Sequence, residues 1–233
     1  MGYSRRPTAD PLAYASILFH FPYYPFADCN LSSTLCRHFN VQSVSLKPGQ
    51  PIPAFIDFPV LRDAHMPTHA LALISQDSSE DFAPILMPLN SDMYNARFRA
   101  ELLPQPPPGT AAPIPHSDAQ LVTLPVVQIL VPHASSVPLL IVFALGLETN
   151  TNILAWTMLP PQVVEEFPNA AAMSQVMAKT MREQEFQARL KYTQGLWQNT
   201  LALGLQDTSI VDLIHTAWNV VAEARRLRDK YRK

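Results

Sequence analysis

The chain of 233 residues has little glycine, cysteine or charge. With only 6 glycines it lacks the glycine-rich loops that cradle phosphates, and the GxSxG turn of serine hydrolases is absent. The two cysteines, Cys29 and Cys36, have a spacing that matches no zinc or redox signature, so we expect reduced thiols. These absences remove the common sequence signatures of nucleotide-binding, hydrolytic and disulfide-bonded proteins.

A long uninterrupted apolar run is also missing. The most apolar region, residues 121–147, is broken by Pro125, Pro132 and Pro138, and its cleanest run covers only residues 139–147. A membrane-spanning helix needs about 20 such residues, so we expect none. The polar start, MGYSRRPTAD, does not resemble a signal peptide. We therefore expect a nuclear or cytoplasmic protein.

Proline is unevenly distributed, since all 23 prolines lie at or before Pro168. Because proline disrupts helix interiors, this boundary separates short elements from long helices. The sequence predicts a flexible N-terminus (1–15), a proline-rich α+β body (16–168) and a helical region packed on that body (169–233). Within the body, the six prolines of residues 104–116 indicate an exposed loop, with a ligand motif for aromatic-lined grooves as the alternative.

Charge is segregated as well. Residues 1–168 carry seven Lys/Arg against 13 Asp/Glu, a net −6, whereas residues 169–233 carry ten against six, a net +4. Six of these ten cations lie in the last nine residues. A basic run of this kind is typical of nuclear-localisation signals and nucleic-acid patches, and also of a solvated helix end. No nucleic-acid-binding signature accompanies it, so we expect no direct nucleic-acid binding. The basic tail, residues 225–233, contains Arg225, Arg226, Arg228, Lys230, Arg232 and Lys233.

In the body, hydrophobic periodicity predicts several elements. The period-two alternation of residues 41–46 predicts a strand, and residues 120–130 predict a buried strand. Residues 91–103 predict a helix that ends at the following proline. For the short, fully apolar run 137–145, periodicity leaves helix and strand equally open.

In the C-terminal region, the pattern predicts long helices. Asn169 is expected to cap a helix that runs to about Phe186. Helix then continues over residues 189–203 and stops at Gly204, the residue type that favours a helix end.

A final helix follows, with Asp207 or Thr208 as its cap. Its apolar face extends to Ala224, and we expect the helix to leave the core beyond that residue. The short connection between the last two helices favours antiparallel neighbours, so we expect Trp197 and Trp218 to face each other.

Candidate metal ligands and catalytic residues are few. His65 and His69 have the spacing of two ligands on a helix, but Pro67 would break that helix and no third ligand is evident. His133 and His215 lie among apolar residues and are interpreted as hydrogen-bonded histidines. We therefore predict no catalytic residue, no metal site and no cofactor.

Two segments of the chain resemble known families. The sequence LPVV at 124–127, followed by VPHASSVPLL at 131–140, resembles a strand–helix unit of BTB/POZ-like domains. The sequence GLWQNTLALG at 195–204, followed by Asp207 and the Ala217–Trp218 pair, resembles the C-terminal region of the fungal clampless proteins. Together the two segments extend over roughly residues 120–222, and the resemblance is most specific over residues 195–218.

The clampless resemblance implies a role in basidiomycete sexual development and clamp-cell formation. It implies contacts with transcription regulators, including mating-type homeodomain proteins. The residues that carry it, Trp197, Asn199 and Trp218, are the candidate partner-binding residues, with packing in the core as the alternative for both tryptophans.

The sequence therefore predicts an α+β fold. A small mixed sheet with short helices, BTB/POZ-like by resemblance, precedes a C-terminal bundle of two or three helices. The leading functional hypothesis is a non-enzymatic regulator that binds other proteins. A small-molecule enzyme of unrecognised type and a homo-oligomeric adaptor are the alternatives.

Overall fold

The computed structural model describes residues 31–62, 65–76, 83–104, 113–115 and 120–231. The predicted flexible segment 1–15 and most of loop 104–116 lie outside these residues, as do Arg232 and Lys233. The described residues form a mixed sheet with several helices, and the C-terminal part is helical. The predicted α+β class is confirmed.

The sheet has four strands in the spatial order β1-β4-β2-β3. They are β1 (Phe55–Pro59), β2 (His69–Ser75), β3 (Ile85–Leu89) and β4 (Leu121–Val131). The first half of β4 pairs antiparallel with β1, and its second half pairs parallel with β2. Strand β3 lies at the far edge, antiparallel to β2. The long strand β4 therefore joins the two pairs.

A proline stands in the middle of β4, although proline removes a hydrogen-bond donor from a sheet. Pro125 lies opposite Phe55 and is the last residue of β4 that pairs with β1. Val126 is the first that pairs with β2, opposite Ala70. The missing donor thus falls where β4 changes its neighbour. The strand predicted at 120–130 is confirmed.

Eight α-helices lie in the described part of the chain. The N-terminal half contributes α1 (Leu31–His38) and the single-turn α2 (Ser91–Asn95). A 3-10 turn, Ala134–Ser136, leads from β4 into the third helix. The remaining helices are α3 (Val137–Ala144), α4 (Thr151–Met158), α5 (Pro161–Val164), α6 (Ala170–Thr180), α7 (Glu183–Leu203) and α8 (Thr208–Tyr231).

Helix α3 lies at the centre of the molecule. All eight of its residues are buried, and the helix contacts α1 and α7. Burying one large aliphatic side chain stabilises a fold by about 1.5–3 kcal/mol, so this helix contributes much of the core. The element left open at residues 137–145 is thus a helix. Because all its faces are covered, its sequence carries no helical periodicity.

The strand predicted at residues 41–46 is wrong. Val41 forms an isolated bridge to Val60, and the segment after it lacks regular structure. Leu46 instead packs against Ala72 of β2. Alternating side chains can therefore cover a sheet without pairing as a strand.

The helix predicted over residues 91–103 is much shorter in the structure, where only α2 (Ser91–Asn95) is helical. The side chain of Asn90 caps it, accepting two backbone N–H groups of the first turn. Beyond α2 the backbone of residues 97–100 hydrogen-bonds to the turn after α7. This long-range pairing prevails over the local preference for helix.

The helix predicted from Asn169 to about Phe186 is divided into α6 and α7. Asn169 caps α6 as predicted, since its Oδ1 accepts the N–H of Ala172 at 3.1 Å. The first helix ends at Thr180 because Met181 adopts an extended backbone and buries its side chain. The region thus contains three helices, within the predicted two or three.

Candidate functional site: the C-terminal helical hairpin

Helices α7 and α8 form an antiparallel hairpin whose turn depends on Gly204 and Asp207. Gly204 has a left-handed backbone, with φ of 65° and ψ of 51°, which glycine adopts without strain. The Asp207 carboxylate accepts the hydroxyl of Ser209 at 2.6 Å and the backbone N–H groups of Ser209 and Ile210. These bonds, the Ser209 hydroxyl foremost, lower the pKa of Asp207. The predicted stop at Gly204 and the predicted cap at Asp207 are confirmed.

The turn of the hairpin is anchored to the segment after α2. The N–H of Arg99 donates to the carbonyl of Gly204 at 2.9 Å, and the N–H of Gln206 donates to the carbonyl of Arg97 at 3.0 Å. A Cβ atom at Gly204 would lie 3.0 Å from the Cβ of Arg99. Glycine therefore permits both the backbone conformation and the close approach.

Gly195 allows α7 to pack directly against the turn between β4 and α3. A Cβ atom at this position would lie 2.3 Å from the Cβ of His133. Such a contact is far inside van der Waals distance, so any side chain at this position would force the helix away.

Asn199, one turn further along α7, ties down the same turn. Its Nδ2 donates to the carbonyl of His133 at 2.7 Å and to the hydroxyl of Ser136 at 2.9 Å. Its Oδ1 accepts the N–H of His133 at 3.4 Å. The side chain is completely buried, so its amide forms these hydrogen bonds inside the protein. Its predicted role as a partner contact stays a prediction.

Trp197 stacks on His215, not on Trp218, so the expected contact between the two tryptophans is wrong. The ring centroids of Trp197 and His215 are 4.9 Å apart, with 24° between the planes. Asn219 donates to Nε2 of His215 at 3.2 Å and helps to orient the ring. Both indoles are half-buried and pack against the core. Their predicted roles in partner binding stay predictions.

Arg228, within the basic tail, is mostly buried. Its Nη1 donates to the carbonyls of Ala178 at 3.1 Å and Met181 at 2.9 Å, and its Nη2 donates to Glu183 at 2.7 Å. Its guanidinium carbon lies 4.6 Å from the ring centroid of Phe186. The expectation that α8 leaves the core before the basic residues is therefore wrong. Arg228 joins α8 to the end of α6 and the start of α7.

Other cations of the basic tail face solvent. Arg225, Arg226 and Lys230 are exposed, and Arg226 forms a surface ion pair of 2.9 Å with Glu223. The outer face of α8, as we call it, follows a spacing of three or four residues per turn. Its members are His215, Asn219, Glu223, Arg226 and Lys230, of which Glu223 is partly exposed and pairs with Arg226.

Arg189 is a buried side chain that sequence reasoning missed. Its Nη1 donates to the carbonyls of Trp156 and Thr157 at 3.2 and 3.4 Å, so α7 caps the last turn of α4. Its Nε lies 3.6 Å from Oε1 of Glu185. The available signal was its position on the buried face of α7, beside Leu190.

Ser135 and His133 form a pair of the kind that serine nucleophiles and histidine bases make, but their geometry does not suit catalysis. The hydroxyl of Ser135 lies 3.4 Å from Nδ1 and 3.3 Å from Nε2 of His133. An oxygen almost equidistant from both ring nitrogens lies along neither in-plane lone pair, so the histidine is badly placed as a general base. Burial raises the pKa of the Cys36 thiol to about 11, which keeps this sulfur protonated and unreactive.

Neither a metal-binding cluster nor a membrane-spanning helix is found among the described residues. They contain no group of three or more His, Cys, Asp or Glu side chains placed to hold a metal ion. None of the helices in this part of the chain combines the length and the apolarity that a membrane crossing requires.

Comparison with known proteins identifies one family. Residues 98–230 match the family model described as the Clampless protein 1 C-terminal domain. The match covers more than half of the chain and includes β4, the hairpin and the residues that fix it. No curated protein and no solved structure is detectably similar to the chain. The chain therefore belongs to the clampless protein family, which ties it to the regulation of clamp formation and sexual development in fungi.

Proposed function

We propose that this protein is a non-enzymatic regulator that binds a transcription regulator through the outer face of α8. The family name points to a regulator rather than an enzyme. The observation that carries the proposal is the composition of this face. An aromatic stack, Trp197 on His215, lies at one end, and the exposed cations Arg226 and Lys230 lie at the other.

The chemistry of the face favours a particular kind of partner segment. From His215 to Lys230 the helix rises by about 22 Å, at 1.5 Å per residue, which suits an extended or helical peptide. Cations along the face favour acidic side chains, and the indole favours an apolar one. Acidic segments interspersed with apolar residues are typical of transcriptional activation regions. For a homeodomain-type partner, we expect contact through such a segment, because the DNA-binding surface of a homeodomain is itself basic.

A pull-down with purified full-length protein tests the proposal. A homeodomain-type transcription regulator is the immobilised partner, and the test variant carries Arg226→Glu with Lys230→Glu, the two cations of the outer face. Capture should fall at least about tenfold, since two rim attractions become repulsions. The control carries Lys179→Glu with Lys191→Glu, the same charge change at exposed residues of α6 and α7.

The control sharpens the interpretation. If both variants lose the regulator equally, net charge alone governs capture, and the outer face of α8 is not the binding surface. If neither variant loses it, the cations contribute nothing to binding.

We further propose that the exposed basic residues act as a nuclear-localisation signal. Arg225, Arg226 and Lys230 are exposed and therefore accessible to an import receptor, whereas Arg228 is engaged inside the fold. In living cells, a fluorescent fusion with Ala at Arg225, Arg226, Lys230, Arg232 and Lys233 should lose nuclear accumulation. Unchanged nuclear fluorescence would refute the signal.

A further inference from the structure

Phe167 is exposed at the surface between α5 and α6. It is 66% exposed, and the two preceding residues, Glu165 and Glu166, are exposed as well. The turn is held by its own backbone, because the N–H of Phe167 donates to Val164 and that of Asn169 donates to Glu166. We call the three residues 165–167 the plug, since they present an aromatic ring beside two carboxylates.

A groove lies beside the plug, between the first turns of α6 and the second half of α8. Its volume is about 500 Å³, and small side chains make up much of its lining. A phenyl ring fits into this volume. The lining includes Ala170, Ser174, Asn219, Ala222 and one ion pair, formed by Glu223 and Arg226.

The charges of the two features are complementary. The groove is bordered by the side chain of Arg226, which is 80% exposed, and Arg225 and Lys230 lie nearby on the same helix. Arg226 also pairs with Glu223 in the same chain. Exposed pairs at this spacing are weak, and a guanidinium can serve two carboxylates at once. The groove can therefore receive an acidic plug.

The arrangement favours insertion between molecules. Phe167 is exposed and so does not occupy the neighbouring groove of its own chain. Plug and groove lie close together along the chain, since Phe167 precedes the groove residue Ala170 by only three positions. Complementary features on one face of a subunit can satisfy each other reciprocally across a two-fold axis.

We propose that the chain forms a symmetric dimer in which Phe167 of each copy enters the groove of the other. Glu165 and Glu166 then lie against Arg226 of the second copy. Since one aromatic side chain and two carboxylates make up the contact, we expect a weak dimer, with a dissociation constant of roughly micromolar order. This inference goes beyond the proposed function, although the groove shares Asn219 and Arg226 with the outer face of α8.

Sedimentation equilibrium of the full-length protein tests the dimer. Phe167→Ser should raise the dissociation constant at least about tenfold, because the residue is the central anchor of the contact. Phe55→Ser is the matched control, since Phe55 is 64% exposed on β1, away from the groove. A wild-type protein that stays monomeric up to high micromolar concentration overturns the proposal, and so does an equal effect of both substitutions.

A charge exchange between two variants tests the reciprocal geometry. Variant one carries Glu165→Arg with Glu166→Arg, and variant two carries Arg226→Glu. Alone, each variant brings like charges together across the two-fold axis and should be monomeric. Mixed, they form two complementary contacts and should recover a heterodimer. A mixture that stays monomeric contradicts the proposed contact, since both variants alter exposed residues and circular dichroism can confirm that each is folded.

Discussion

At the scale of single residues, two arginines join helices in the C-terminal region. Arg189 donates to the last carbonyls of α4, and Arg228 donates to those at the end of α6. Each guanidinium satisfies carbonyls that a helix end leaves without partners. Each also lies close to a glutamate of α7. Both side chains thus stabilise the packing of one helix end against another helix.

Replacing Arg228 by alanine should lower the free energy of unfolding by about 2–4 kcal/mol, because two buried carbonyls lose their donor and Glu183 loses an ion pair. The free energy of unfolding of Arg228→Lys should lie between those of the wild type and the alanine variant, since an ammonium cannot form the same fork of hydrogen bonds. Urea denaturation measures both. Arg225→Ala, which removes an exposed cation one turn away, should change stability by less than about 0.5 kcal/mol. Equal effects at the two positions would contradict the anchoring role.

Gly195→Ala should destabilise the protein by about 1–3 kcal/mol or more, because the new methyl group would overlap the Cβ of His133. His133→Ala should relieve only the overlaps with Cγ and Nδ1 of the ring, since alanine retains the Cβ atom that lies closest. His133→Gly should relieve the overlap with that Cβ atom as well. Thermal denaturation of the double variants distinguishes these outcomes. Rescue by alanine equal to rescue by glycine would locate the conflict in the imidazole ring instead.

At the scale of secondary structure, the start of α8 depends on one carboxylate. Asp207→Ala should cost about 1 kcal/mol, the usual value of a helix cap. Asp207→Asn retains an oxygen that can accept the same N–H groups and should cost less.

The pH dependence of this cap has a definite sign. The pKa of Asp207 is lowered in the folded state, so its stabilising effect is present above its ordinary pKa of 3.8 and is lost as the pH falls through the folded value. The stability gap between wild type and Asp207→Asn should therefore be larger at pH 7 than at pH 3, as urea titrations at both values would measure. A gap that widens in acid would show that the carboxylate does not act as described.

Local signals in the sequence were sufficient for some elements. The strand β4, the caps at Asn169 and Asp207 and the stop at Gly204 follow from chemistry within a few residues, although β4 is only partly buried, with Leu130 63% exposed. The helix over 91–103 failed because the backbone after α2 pairs with the turn of the hairpin, more than 100 residues later. Such a partner leaves no local pattern.

In the hairpin, the sequence identified the family, whereas the roles of single residues became clear only from the structure. The GLWQN segment identified the family, but its residue roles required coordinates. Asn199 serves the turn after β4, and Trp197 meets a histidine that no periodicity singled out as its partner. Arg228 looked like one more cation of a basic tail. A buried arginine on an apolar helix face becomes recognisable only when the neighbouring helix end is known.

At the scale of the whole molecule, the family match and the sheet have different boundaries. The match begins at residue 98, after β1, β2 and β3, yet it contains β4. Both neighbours of β4 in the sheet therefore lie outside the matched segment. Helix α3 also contacts α1, which lies outside it as well. The segment that matches the family model is therefore not an independent folding unit in this chain.

A fragment of residues 98–233 should accordingly fail to fold cooperatively. Removing β1 and β2 leaves both edges of β4 without partners and exposes buried side chains such as Leu124 and Val131. The hairpin should retain helical circular dichroism, but urea should melt it gradually, without the steep transition whose slope reports buried surface. The control is a fragment of residues 31–233, which keeps all four strands of the described sheet and should unfold in one transition. A cooperative transition in the shorter fragment, with the midpoint of the control, would show that helices α3 to α8 bury enough apolar surface alone and that the sheet is dispensable for their stability.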